Sequence, residues 1–106
     1  ETKNVSIEYL HGGTAKAWSN YNTITTTSVT TSLNISTLTD NGTGNTDCNF
    51  TTNFDNSDHC QDLISNNWNS YITTKTVSSG RGVTATSSHS PVDVDLANTV
   101  FHGDLA

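Results

Sequence analysis

Short runs in which apolar and polar residues alternate dominate this chain. Such runs occupy residues 5–10, 15–21 and 23–38, and the third is rich in Thr and Ser. Alternation with a period of two is typical of strands that bury one face. The first two runs are joined by the glycine-containing turn 11–14 and predict a hairpin. Asn41-Gly42, after the third run, predicts a turn.

The C-terminal half carries further strand signals. Residues 71–77 and 83–87 flank the glycine-containing segment 78–82, which predicts a second hairpin with a five-residue loop. Residues 92–96 alternate again and predict a last strand, while a helix over 94–101 is the competing interpretation.

One segment departs from the strand pattern. Its apolar residues recur at the three- and four-residue intervals that form one stripe of an amphipathic helix. They are Cys60, Leu63, Ile64, Trp68 and Tyr71. We therefore expect a short helix over about residues 58–68.

Cys48 and Cys60 are the two cysteines of the chain. A bridge between them would close a loop of 13 residues, which the chain-entropy model values at about 3 kcal/mol. Polar neighbours flank both residues and argue against the alternative of two buried free thiols. We expect a disulfide between them.

Hydroxyl and amide side chains replace charge as the source of solubility. Thr, Ser and Asn make up 46 of the 106 residues, whereas charged residues make up 13%; about a quarter is usual. This composition indicates an extracellular protein, so we expect a secreted one. The predicted fold is a single domain over residues 1–106, mainly β: a small antiparallel β-sandwich with one short helix and one disulfide.

Charge and motif content exclude several classes of protein. The net charge is −6, and the four basic residues, Lys3, Lys16, Lys75 and Arg81, are scattered; nucleic acid is therefore not an expected partner. No apolar run reaches the length of a membrane span.

The histidines do not follow a metal-ligand spacing, and we expect neither a metal nor a cofactor. Asp40–Asp47 and the pair Asp93 and Asp95 are weak Ca²⁺ candidates that a polar turn explains better.

The segment Ala17-Trp18-Ser19-Asn20-Tyr21 follows a glycine-containing lead-in and precedes a Thr/Ser-rich β region. Over residues 8–36 this order resembles the lactococcin 972 family of secreted bacteriocins. The resemblance implies a small β-sandwich that acts outside cells and disturbs cell-wall synthesis at the septum. The family commonly has histidines just after the Tyr, where this chain has Asn22 and Thr23.

Exposed aromatic side chains beside amides suit sugar or cell-wall ligands. We therefore expect a non-enzymatic secreted toxin, effector or recognition protein that acts on a cell surface or cell wall, with Trp18, Asn20 and Tyr21 as its contact residues. The structural alternative for Trp18 and Tyr21 is packing on a sheet face. The sequence leaves the oligomeric state open.

Two other functions stay open. Thr-rich strands with few charges pair readily at sheet edges, so the chain could be a structural subunit of a surface fibre or an adhesin. His11 and His102 could instead serve as general acid and base of a small ribonuclease-like secreted hydrolase.

Overall fold

The computed structural model describes residues 4, 6–7, 13–24 and 26–106. The strands that these residues form are β1 (Ala15–Asn22), β2 (Ser28–Leu33), β3 (Ile35–Asp40), β4 (Asn45–Phe50), β5 (Cys60–Ser65), β6 (Asn69–Lys75), β7 (Ser79–Ala85) and β8 (Ala97–His102). The run at 5–10, which sequence analysis pairs with 15–21, lies largely outside the described residues.

The eight strands form two four-stranded antiparallel sheets that face each other. Sheet A has the order β2-β1-β8-β5, and sheet B has the order β3-β4-β7-β6. Their inner faces share one hydrophobic core, as in other sheet-on-sheet folds. The prediction of a mainly β, antiparallel two-sheet fold is confirmed.

The alternation in β1 sets the two faces of sheet A. Ala17, Ser19 and Tyr21 are buried, whereas Trp18 between them is 36% exposed. Successive side chains of a strand point to opposite faces. Trp18 therefore lies on the face opposite Ala17 and Tyr21, which is the outer face of sheet A.

Asn34 is the corner at which the chain leaves sheet A for sheet B. Its φ of 58° is in the left-handed region, where Asn is more tolerated than most residues. The amide of Asn34 donates to the carbonyl of Thr52 at 3.0 Å and accepts the Thr52 N–H at 2.7 Å. The long alternating run is therefore two strands, β2 and β3, on different sheets.

The predicted helix over residues 58–68 is wrong. Cys60–Ser65 is strand β5, and all six of its residues pair with β8. The apolar stripe does not share one environment, because Leu63 is buried whereas Ile64 and Trp68 are 70% and 80% exposed. Tertiary pairing decides the structure here, as it often does where helix propensity is weak.

The predicted disulfide is also wrong. Cys48 is buried in the core from β4 of sheet B, and Cys60 is exposed on β5 of sheet A. The neighbours of Cys60 show that its side chain points outward, because the alternate residues Gln61 and Leu63 face the core side of β5. Sheet A therefore lies between the two thiols, which are both free.

An aromatic cluster fills one end of the core. The ring of Phe50 lies 4.8 Å from the rings of both Phe54 and Phe101, and the ring of His59 lies 4.5 Å from that of Phe54. The two contacts of Phe50 are edge-to-face, an arrangement that stabilises a core beyond the burial of area alone. Phe50 and Phe54, isolated apolar residues in a polar stretch of sequence, are thus central to the core.

The second predicted hairpin is confirmed, but its loop is shorter than expected. Residues 79–82 belong to β7, so the connection is 76–78. Gly80 and Gly82 face the core, and the packing there leaves no room for a side chain. A Cβ at Gly82 would lie 2.6 Å from Leu63 Cδ2. The predicted last strand over 92–96 is wrong, because β8 occupies Ala97–His102 and does not include those residues, and the competing helix over 94–101 is also wrong.

Candidate functional site

The outer face of sheet A contains a groove of about 350 Å³. We call it the Trp18 groove. Its outward-facing side chains come from all four strands of the sheet: Trp18 and Asn20 (β1), Thr31 (β2), Asp62 and Ile64 (β5), and Asn98 and Val100 (β8). Concave surfaces with mostly apolar lining and a few polar groups are typical binding sites.

Strand register arranges these side chains in two rows. In the first row Trp18 pairs with Val100, which pairs with Asp62. In the second row Asn20 pairs with Asn98, which pairs with Ile64. Adjacent strands are about 4.8 Å apart, so each row spans about 10 Å from β1 to β5. The groove is therefore wide enough to present the Trp18 ring and the Asp62 carboxylate to one small ligand.

Two amides hold each other at the centre of the groove. Asn20 Nδ2 donates to Asn98 Oδ1 at 2.6 Å. An Asn side chain has one acceptor oxygen and two N–H donors. The pair can therefore still offer the Asn20 oxygen as an acceptor and the Asn98 N–H groups as donors, with both side chains fixed in place. Asp62, when ionised, adds an acceptor only.

The inner side of sheet A supports the groove. Thr99 is buried behind it and donates from its hydroxyl to the Asp62 carbonyl at 2.8 Å. Gln61 Nε2 in turn donates to the Thr99 hydroxyl at 3.3 Å. These bonds tie β5 to β8 in addition to the backbone ladder. A preorganised surface loses less entropy when a ligand binds.

Of the three contact residues predicted from sequence, the structure brings two into the groove. Trp18 and Asn20 line it, whereas the side chain of Tyr21 is 2% exposed and belongs to the core. Burial, followed by the nearby Cys48, raises the pKa of Tyr21 above its usual range. The alternation that separates Trp18 from Ala17 already places Tyr21 inward, so Tyr21 is not part of the Trp18 groove.

Sequence analysis missed the half of the groove that β5 and β8 provide. The sequence pattern predicts a helix at Asp62 and Ile64 and a last strand over 92–96, before Asn98 and Val100. The sequence signal for β8 is weak, because the inward positions include the polar Thr99 and the outward positions include the apolar Val100. That β8 lies beside β1 and β5 beside β8 depends on long-range pairings, which local patterns do not encode.

The histidines lie apart from the Trp18 groove or outside the described residues. His11 is among the undescribed residues, so its pairing with His102 stays a prediction. His59 is 3% exposed within the aromatic cluster, and its Nε2 lies 2.9 Å from the carbonyl of Thr76. Burial lowers the pKa of His59 despite that carbonyl. A neutral ring that donates from Nε2 fits this environment.

One acidic residue of each predicted Ca²⁺ candidate accepts a hydrogen bond from a backbone N–H group. Asp40 accepts from Gly42 at 2.9 Å, and Asp93 accepts from Gly44 at 2.7 Å. Within the described ranges, no group of three or more His, Cys, Asp or Glu residues is placed to hold a metal ion. A turn-stabilising role accounts for both carboxylates.

No protein-family model, curated protein or solved structure matches the chain. The resemblance of residues 8–36 to lactococcin 972-like bacteriocins therefore stays a prediction. Among the residues described, no helix has the length and apolar character needed to cross a membrane.

Proposed function

We propose that this chain is a non-enzymatic recognition protein that binds glycans of a cell surface or cell wall through the Trp18 groove. The observation that carries the proposal is the position of Trp18, 36% exposed, in a groove with the linked amides of Asn20 and Asn98 and the carboxylate of Asp62. The proposed setting is extracellular, as the hydroxyl- and amide-rich composition indicates.

The chemistry of a sugar ring matches both parts of the groove. One face of a pyranose presents C–H groups, and an indole offers a flat, electron-rich surface for them. The ring edge presents hydroxyls, each of which donates one hydrogen bond and accepts others. Asn20, Asn98 and Asp62 supply both donors and acceptors beside Trp18. The groove therefore combines stacking with hydrogen bonds that select among hydroxyl patterns.

The negative charge of the groove and of the whole protein favours uncharged glycans over anionic ones. Asp62 lies in the groove, and the protein has a net charge of −6. Sulfated or sialylated glycans would meet repulsion from Asp62 and from the overall field of the protein. We therefore propose uncharged glycans as ligands. A toxin or effector that acts on the cell wall, as the bacteriocin resemblance implies, is one form of this function, since residues 8–36 include Trp18 and Asn20.

A binding experiment tests the proposal. Isothermal titration calorimetry should detect binding of cello- or chito-oligosaccharides, and Trp18→Ala should weaken it at least tenfold, because a central aromatic contact commonly contributes more than 1.4 kcal/mol. Tyr71→Ala is a matched control, since Tyr71 is 39% exposed but lies on sheet B. Wild-type protein that binds neither series, or equal losses in the two variants, would contradict the proposal.

One observation favours a second candidate function, a subunit of a surface fibre. The edge strands β2 and β3 follow one another, and no charged residue occurs between Lys16 and Asp40. Uncharged edges allow strand pairing between copies, although a bulge interrupts each of these strands. Sedimentation at micromolar concentration distinguishes the two functions, because a protein that stays monomeric is not a fibre subunit.

A further inference from the structure

Trp68 is the most exposed of the large apolar side chains in the described part of the chain. It is 80% exposed on the turn between β5 and β6. A tryptophan in this position adds little to the core, and large aromatic residues with this exposure often mark contact surfaces. Sequence analysis placed Trp68 on the buried stripe of a helix, so its exposure is a finding of the structure.

Hydrogen bonds hold the turn in one conformation. The N–H of Asn66 donates to the Leu96 carbonyl at 3.1 Å, and the Asn66 amide donates to Asp95. The N–H of Trp68 donates to Asn67 Oδ1 at 2.8 Å. The two Asn66 bonds anchor the turn to the segment before β8, and the Trp68 bond lies within the turn. Trp68 is therefore presented on an ordered turn, which reduces the entropy cost of binding.

The turn continues the surface of the Trp18 groove. Ile64 is 70% exposed and lines the groove at its β5 edge, and Asn66 follows two residues later. Asn66, Asn67 and Trp68 line a separate open cavity of about 480 Å³. Like the Trp18 groove, this cavity combines an indole with amide side chains. The two sites thus offer the same chemistry, and their lining residues come within two positions of each other along the chain, at Ile64 and Asn66.

We propose that Trp68, with Asn66 and Asn67, is a second sugar subsite, so that the chain binds uncharged oligosaccharides or polysaccharides that reach from Trp18 to Trp68. This inference rests on the proposed function of the Trp18 groove. The hydrogen bonds within the turn leave the oxygen of Asn66 and the N–H groups of Asn67 for sugar hydroxyls. Because the second contact is intramolecular once the first has formed, a longer ligand gains affinity from both.

Calorimetry with a length series tests the inference. The probes are cello- and chito-oligosaccharides from the monosaccharide to the hexamer, with wild-type protein, Trp68→Ala, Trp18→Ala and the control Tyr71→Ala. Wild-type affinity should rise at least tenfold from the shortest binding oligomer to the hexamer. Trp68→Ala should remove that rise and leave the affinity for the shortest oligomer unchanged. Trp18→Ala should weaken binding at every length.

The outcomes distinguish the two proposals. If Trp68→Ala keeps the wild-type rise while Trp18→Ala loses binding, the second subsite is wrong and the groove stands. If Trp68→Ala weakens every length by the same factor, Trp68 belongs to a single short site and the second subsite is again wrong. If wild-type protein binds none of the oligomers, both proposals fail. Folding does not confound the test, because an 80% exposed side chain contributes little to stability.

Discussion

Substitution of the two cysteines, one at a time and together, tests the assignment of their side chains to opposite sides of sheet A. Cys48→Ala removes a buried sulfur atom, and Cys60→Ala removes an exposed one. Deletion of one buried heavy atom costs its transfer free energy, about 0.8 kcal/mol, plus a cavity contribution. We expect Cys48→Ala to lower the free energy of unfolding by about 1–2 kcal/mol and Cys60→Ala to change it by less than about 0.5 kcal/mol.

The double variant distinguishes two free thiols from a disulfide, whatever the loss of unfolding free energy in each single variant. Without a bond between the residues, the two losses should add to within about 0.5 kcal/mol. A disulfide would instead give each single variant about the same loss of 3 kcal/mol, and the double variant no more. Urea unfolding followed by tryptophan fluorescence supplies the three free energies.

Thiol titration provides a second readout. Burial, followed by the nearby Asp47, raises the pKa of Cys48 to about 12. The thiolate is the reactive form, so Cys48 should stay unreactive in the native protein at neutral pH. An aromatic disulfide reagent should therefore find one thiol in the native protein and two in urea. No reactive thiol in urea, or equal losses in the two single variants, would refute the placement of the cysteines.

Two further predictions concern stability. Gly44→Ala should lower the free energy of unfolding by about 2–4 kcal/mol, because φ is 67° there and a Cβ would lie 2.6 Å from two backbone carbonyl oxygens. Gly13→Ala is the control, since a Cβ at Gly13 would have no heavy atom within 4 Å apart from those of its chain neighbours, and an equal loss of thermal stability in the two variants would contradict the prediction. His59 should make the protein less stable as the pH falls below about 6.5, because burial lowers its folded pKa and the unfolded chain then binds the proton more readily. His59→Phe should lose less thermal stability than wild type between pH 7.5 and 5.5, and an equal loss would rule out His59 as the cause.

Local patterns predicted the parts of the fold that local physics controls. The faces of β1 follow from the alternation around Trp18, and the turn at Asn41-Gly42 follows from the backbone freedom of its residues. The second hairpin follows from two apolar runs around a glycine-containing segment. Half of the Trp18 groove was found in this way, because Trp18 and Asn20 share the outer face of one strand.

The other half depends on contacts between residues far apart in sequence. Residues 60–65 have an apolar spacing that fits a helix, yet their backbone pairs with β8, about 37 residues later. The same pairing brings Asp62 to Asn98 and Val100, and it separates Cys60 from Cys48 by a whole sheet. Two cysteines 12 positions apart in sequence indicate a short loop, but the sequence does not show that the intervening chain crosses between sheets.

The most direct test of the central claim is an amide chemical-shift titration. A ¹⁵N-labelled sample is titrated with chito- and cello-oligosaccharides, and the shifted residues are mapped onto the two sheets. We predict that the largest shifts cluster on the outer face of sheet A, around Trp18, Asn20, Asp62, Asn98 and Val100. Shifts that cluster on sheet B, or no shifts at millimolar oligosaccharide, would contradict the assignment of the groove as a glycan site.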